Sequence, residues 1–261
     1  MEKPLIMTYE EMCERMNRRN LKRAVLGLPA EHEFEYNNAK YYWGHDRIML
    51  KEVMLKGGIG EFEIPEFVTD IYPGHSPYRS PFCSCRSIKV TNRSGIEVME
   101  DLFYNCVELV ELDLSSFDTS KVFIMQGMFR ECTHLAKLWL NSLDTSQVIN
   151  MSGMFAGCGA LLNLDLSSFD TSNVVAANCM FDGCTGLTRL DLSSFTAPRF
   201  RDAACMFCDC TELISIDLSS FDTSKSVFTL KSTSMFSGCG NLRELRADER
   251  ITKIFQKFRN R

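Results

Sequence analysis

Met154-Phe-Ala-Gly-Cys158-Gly-Ala-Leu161-Leu-Asn-Leu164-Asp-Leu166-Ser-Ser-Phe169-Asp-Thr-Ser-Asn-Val174 is one copy of a unit that recurs through much of this 261-residue chain. Phe103, Phe129, Phe155, Phe181, Phe207 and Phe236 each open a Phe-x-x-Cys-x-x-Leu stretch, at intervals of 26 residues four times and then 29. A unit this short cannot bury its apolar face alone, so a fixed period in this range predicts the stacked coils of a solenoid. Such an array offers an extended surface for holding something rather than a pocket for chemistry.

Within one unit, the alternation of Leu112 and Leu114 predicts a short strand with one face inward, leaving Glu111, Asp113 and Ser115 outward. Asp118-Thr119-Ser120 supplies turn residues and a candidate helix N-cap. Val122, Met125, Met128, Phe129 and Cys132 follow at steps that fit one face of a short helix. Each coil therefore reads strand, turn, helix, with a parallel inner sheet. The Phe103 series forms one apolar column, and Phe117, Leu143, Phe169, Phe195 and Phe221 form a second.

Cys106, Cys132, Cys158, Cys184, Cys210 and Cys239 fall three residues after each repeat Phe, and Cys85 does the same after Phe82. Periodic cysteine at a core position reads as a small hydrophobe, so reduced buried thiols are expected rather than disulfides. The net charge of −5 is unevenly spread: residues 96–241 hold 8 Lys/Arg against 18 Asp/Glu, and residues 242–261 hold 7 against 3. An acidic body disfavours direct nucleic-acid binding, which depends on neutralising phosphates with Lys and Arg.

The unit is similar to the repeats of BspA-like leucine-rich repeat proteins of bacteria, Met154 to Val174 matching their pattern most closely, and the resemblance spans about residues 82–246. It implies a right-handed leucine-rich-repeat arc used for protein contact, often at a cell surface. Phe117 and its equivalents stand where a general leucine-rich repeat carries an Asn ladder.

The expected organisation is an α/β N-terminal cap over residues 1–60, a solenoid over 61–246 and a C-terminal capping helix over 247–261. The solenoid would begin with a degenerate coil, residues 61–95, carrying Ile64-Pro-Glu-Phe-Val68 and Phe82-x-x-Cys85-x-x-Ile88, and run regularly from 96. Thr8-x-x-Glu11 reads as a capping box opening a helix to about Leu26, with Arg15, Arg18, Arg19, Lys22 and Arg23 on its outer face. His32 to Trp43 reads as a hairpin turning at Asn37-Asn38, and Gly57-Gly58 as a junction. Ile251, Ile254, Phe255 and Phe258 give the C-terminal helix its apolar face. Met1 to Glu14 has no apolar signal region and no stretch is long enough to span a bilayer, so a cytoplasmic location is expected, with the cell surface as alternative.

No nucleophile–base pair or phosphate-binding loop can be assembled, and the expectation is a non-enzymatic protein-binding module without a cofactor or small-molecule substrate. It would be monomeric on its own and could serve as an intracellular inhibitor or scaffold. The outward columns supply candidate contacts. Asp113, Trp139, Asp165, Asp191 and Asp217 form an acidic ladder broken by one Trp; Lys137 and Arg189 vary a neighbouring column; Arg199 and Arg201 stand in an irregular stretch of the fourth unit. The acidic face predicts a protein partner with a basic patch, and Trp139 is either its anchor or a side chain folded over the sheet edge to patch a packing defect in its irregular unit. The alternatives are an adhesin-like surface module and a zinc-binding or thiol-redox protein built on Cys179, Cys205, Cys208 and Cys210. Cys-x-x-Cys is ordinary zinc spacing, although Cys179 and Cys205 occupy the slot held by Gly127 and Gly153 elsewhere.

Overall fold

The repeat period becomes a hydrogen-bond period. The Phe103 N–H donates to the Met128 carbonyl (2.8 Å), and Phe129, Phe155 and Phe181 donate to Met154, Met180 and Met206 (2.9 Å each). The structure, a computed structural model, describes residues 14, 33–43, 48–65, 68, 80–92, 96–196, 198–221 and 234–259. Coil after coil meets its neighbour through parallel ladders, which makes the fold a leucine-rich-repeat solenoid.

The inner ladder consists of short strands. β4 (Ile59–Ile64), β5 (Ser87–Asn92), β6 (Glu111–Asp113) and β7 (Lys137–Trp139) form one parallel sheet in that order. β8 (Arg189–Asp191), β9 (Ser215–Asp217) and β10 (Glu244–Arg246) form a second. Register follows the repeat, Ile88 opposite Leu112 opposite Leu138, and Leu190 opposite Ile216 opposite Leu245. Residues 163–165 lie between the two sheets and outside any strand. A second ladder of single bridges runs Val98, Ile124, Asn150, Ala176 and Asp202 along another side of each coil.

The segment expected as a helix is instead a chain of turns. Met125, Gly127, Phe129 and Glu131 send their N–H groups to Asn150, Ser152, Met154 and Ala156 of the next coil. Met128, Arg130 and Cys132 return theirs to the carbonyls three residues back. A helix would direct every N–H four residues back, but here alternate groups are claimed by the neighbour. Gly127 (φ +60°) and Glu131 (φ +61°) also adopt the left-handed conformation, which bends the chain around the coil. Steps of three between apolar residues suit such turns as well as a helix.

Two aromatic columns fill the interior. Rings of Phe103, Phe129, Phe155, Phe181, Phe207 and Phe236 stack at 5.4–5.7 Å, and Phe169, Phe195 and Phe221 at 6.3 Å. Beside the first column, the thiols of Cys132, Cys158, Cys184, Cys210 and Cys239 reach the carbonyls of Phe103, Phe129, Phe155, Phe181 and Phe207 one coil back, at 2.9–3.1 Å. The expected column of buried cysteines is present among the described residues, and the five thiols from Cys132 to Cys239 also donate a hydrogen bond.

Both ends of the stack meet apolar groups. α1 (Glu249–Arg259) starts at Asp248, whose carboxylate accepts the Ile251 N–H (2.9 Å). It buries Ile251 and Phe255, the latter edge-on to Phe236 at 5.5 Å. At the other end, Phe82 lies 4.8 Å from Phe103 and 6.2 Å from Phe62. β1 (Glu33–Tyr36) and β2 (Ala39–Trp43) pair as the expected hairpin, Phe34 opposite Tyr41, with positive φ at Asn37 and Asn38. A third strand not foreseen, β3 (Ile48–Val53), pairs with β2, and the Val53 N–H donates to the Pro81 carbonyl (2.7 Å). Gly58 (φ +68°) abuts the Ser84 carbonyl so closely that a Cβ would sit 2.6 Å from it. The helix expected over residues 8–26 lies outside the described residues, apart from Glu14.

Cys179 (φ +55°) and Cys205 (φ +54°) share the left-handed slot of Gly127 and Gly153. Left-handed backbone costs a residue with a Cβ about 1–2 kcal/mol. Gly153→Ala should therefore destabilise the protein by about 1 kcal/mol, while Cys179→Gly should be neutral or stabilising. Urea denaturation of both variants checks this.

Candidate functional site

The outward face of the inner strands collects most of the side chains singled out above. Asp113, Asp165, Asp191 and Asp217 do hold a common column, but each also has a local task. Each carboxylate accepts the N–H two residues on, from Ser115 (2.8 Å), Ser167 (3.0 Å), Ser193 (2.9 Å) and Ser219 (2.9 Å). This is an Asx turn, which closes the strand and leads the chain to the next side of the coil. Asp118, Asp144 and Asp170 repeat the device with Ser120, Ser146 and Ser172. The Asp-Thr-Ser stretch therefore makes a turn rather than a helix N-cap. Its buried Thr119 and Thr145 hydroxyls donate to the Asp144 and Asp170 carbonyls of the next coil (2.9 and 3.0 Å).

These bonds favour the ionised form. The hydroxyl and N–H of Ser167 hold the Asp165 carboxyl below its ordinary range, and Ser219, with Arg246, does the same for Asp217. For Asp113, burial pushes upward, but the bonds from Ser115 and the charge of Lys89 outweigh it and the carboxyl is lowered.

Trp139 departs from this plan. An indole has no acceptor for the turn N–H, so this coil gives up the bond its neighbours make. Trp139 is 45% exposed, in the coil before the gap in strand structure at residues 163–165. Leu162 and Ile214, in the column before Asn163 and Ser215, are exposed as well; periodicity shows them only if every position of the unit is aligned, not just the inward ones.

The face is less uniformly acidic than its Asp column suggests. Lys137 pairs with Glu111 at 2.5 Å, and Arg246 with Asp217 at 3.5 Å. Arg189, Asp191, Ser215, Asp217, Glu244 and Arg246 surround an open groove of about 300 Å³ over β8, β9 and β10, floored by the buried Leu190 and Ile216. Glu244 and Arg246 were missed in the sequence because the last unit is displaced by three residues; extending the columns by 29 finds them.

Arg199 and Arg201 are exposed but belong elsewhere. Arg201 continues the second ladder, its N–H donating to the Val175 carbonyl (2.9 Å), and Phe200 between them is buried against Phe221. The extra residues of 224–232 lie outside the described residues. The candidate thiols do not converge as a metal site. The Cys210 thiol points inward to the Phe181 carbonyl, whereas Cys208 and Cys205 contact the carbonyl and hydroxyl of Ser234 at 2.9 and 3.3 Å. Burial pushes Cys179 up to about 11, helped by Asp182, and Cys208 is raised by burial and by Cys205. Among the described residues no group of three His, Cys, Asp or Glu side chains is placed to hold a metal ion.

A family model described as "Mycoplasma protein of unknown function, DUF285" matches residues 81–160 and 134–247. The chain belongs to this family. A search of curated proteins finds no match. Among solved structures, a leucine-rich repeat protein of T. pallidum is 20% identical with a TM-score of 0.46, over 87% of this chain and 95% of that one. A leucine-rich repeat protein from Bacteroides ovatus is 16% identical (TM-score 0.37; 84% and 68%). A leucine-rich cell surface protein from Faecalibacterium prausnitzii is 13% identical (TM-score 0.32; 84% and 96%). Among the described residues no helix is long and apolar enough to cross a membrane.

Two outcomes follow from the electrostatics. Asp118, Asp165, Asp170 and Asp217 have lowered folded-state pKa values, so their stabilisation is complete above the unfolded carboxylate value of about 4 and is lost as pH falls through the folded values. The urea midpoint should show no loss from these groups between pH 7 and 5 and should fall below about pH 4, less steeply in Asp165→Asn/Asp170→Asn. Burial, opposed in part by the Cys158 backbone, pushes the Cys184 thiol up to about 12. With almost no thiolate at pH 8, it should resist iodoacetamide in the folded protein and react once unfolded, as mass spectrometry would show.

Proposed function

We propose that this protein is a non-enzymatic binding module that holds a protein partner against the outward face of its inner strands, with Trp139 as the apolar anchor. The observation that carries the reading is the cost of Trp139 to its own coil. It forfeits the turn bond made by Asp113, Asp165, Asp191 and Asp217 at the same position, and it leaves nearly half its surface in water. Trp on a rigid strand, partly exposed, is among the side chains most enriched in the hot spots of binding interfaces.

The charges beside it support a partner of mixed surface. Asp165 and Asp191 keep a second carboxylate oxygen beyond the one used in the turn, so a basic segment of the partner fits there. Arg189 and Arg246 border the groove and suit acceptors on the partner. Trp139 and Asp191 hold the same position two coils apart, so one partner surface can span both. The cation pairs on this face moderate the acidic character but leave a negative body that attracts a basic partner at low salt.

Affinity capture from native cell lysate with the wild type and Trp139→Ala in parallel tests this, each checked for folding by thermal melt. The wild type should retain a protein that the folded variant loses, since truncating such an anchor costs about 2 kcal/mol or more. The association rate of that pair should fall as salt rises. Equal retention by both would remove Trp139 from the interface, and a salt-independent rate would remove the electrostatic part.

A further inference from the structure

The thiol column ends irregularly. From Cys132 to Cys239, each column thiol reaches a carbonyl one coil back. Cys106 meets another thiol instead: its Sγ lies 3.7 Å from the Sγ of Cys83. Cys83 is half-exposed, in the turn between Pro81 and Ser84, with its Sγ 3.7 Å from the Asn105 carbonyl, while Cys106 is fully buried. One sulfur is open to a reagent in solution and the other, within contact of it, is shielded. Cys205 is also half-exposed, but its sulfur contacts the Ser234 hydroxyl, and Cys179 sits in the left-handed slot.

We propose that Cys83 and Cys106 form a peroxide-sensitive thiol pair that closes to a disulfide between the first two coils of the Phe column. The Cys83 sulfur attacks one oxygen of hydrogen peroxide, breaking the O–O bond; Cys83 becomes a sulfenic acid and water is released. The Cys106 sulfur then displaces the hydroxyl from that sulfenic sulfur, its own proton leaving with the oxygen as a second water. The two thiols lose two electrons in total and one peroxide gains them. A disulfide needs the sulfurs at about 2.05 Å, a movement that rotation of the half-exposed Cys83 side chain can supply. The deep burial of Cys106 makes the second step slow and protects that thiol from direct oxidation.

The location gives the bond a consequence. Phe82 and Phe103 are separated by 21 residues rather than 26, and their rings meet tilted at 36° instead of stacked. This is the irregular joint of the column, and the bond would staple it.

The test oxidises the full-length protein with a few equivalents of hydrogen peroxide, alkylates the remaining thiols under denaturing conditions, and digests with trypsin without reduction. Ser80–Arg86 carries both Cys83 and Cys85, and Ser94–Lys121 carries only Cys106. The expected product joins these two peptides, persists in Cys85→Ala and is lost in Cys83→Ser. The oxidised wild type should melt several degrees higher than the reduced form, with no such gain in Cys83→Ser. A bridge inside Ser80–Arg86, a link that survives Cys83→Ser, or Cys83 driven to sulfinic acid with Cys106 still free would each overturn the pairing. A link without a gain in melting temperature would overturn the stapling.

Discussion

The carbonyl of each repeat Phe from Phe103 to Phe207 is the joint on which this structure depends. It accepts two donors, the N–H of the Cys three residues ahead in its own coil and the thiol of the equivalent Cys one coil on, as Phe129 does from Cys132 (3.2 Å) and Cys158 (3.1 Å). A buried carbonyl left short of partners would be costly, and an aliphatic residue in the Cys position could supply only one side of that pair. Cysteine fits because it is small, apolar enough for the column and still able to donate. Burial keeps the proton on the sulfurs of Cys158 and Cys184, so the property that makes these two thiols unreactive also makes them donors.

From that joint the rest of the coil follows. The Phe N–H is taken by the next coil, so the segment around it cannot wind into a helix, and the chain must turn by left-handed residues instead. Those residues explain the alternation of Gly, Asp and Cys at 101, 127, 153, 179 and 205, all with positive φ. The side-chain turns at Asp113 and Asp118 then lead the chain from one ladder to the other. Each device acts within one coil or between adjacent coils, so stability is propagated from neighbour to neighbour, and an irregular joint such as Phe82–Phe103 matters more than its small size suggests.

Much of this was legible in the sequence because repetition averages out accident. Six copies of Phe-x-x-Cys revealed the column, and Leu112 with its equivalents revealed the inward face of the strands. The Asn37-Asn38 turn was readable because few residues tolerate left-handed backbone at two successive positions. The helix reading failed because periodicity reports only which residues face inward, and turns that exchange hydrogen bonds with a neighbour share that pattern. The third strand β3 escaped because its pairing with β2 is not part of the repeat. The columns of the candidate surface were also readable, but not what their aspartates do: an outward carboxylate in a repeat looks the same whether it awaits a partner or closes a turn.

That distinction decides which outward positions are free to vary. Positions such as Asp165 and Thr145 are tied to the geometry of the coil and cannot vary freely without loosening it. The column of Glu111, Lys137, Asn163, Arg189, Ser215 and Glu244 changes charge and size from coil to coil while the core beneath it stays constant, and so does the column holding Leu162 and Ile214. The variation falls on residues that the coil does not itself require. Trp139 is the extreme case, since the coil would hold its turn better with an Asp there. An array built from nearly identical units thus sorts its positions into two kinds: the inward and turn-forming ones hold the stack together, and the departures from the repeat fall on the outward surface that the stack does not need.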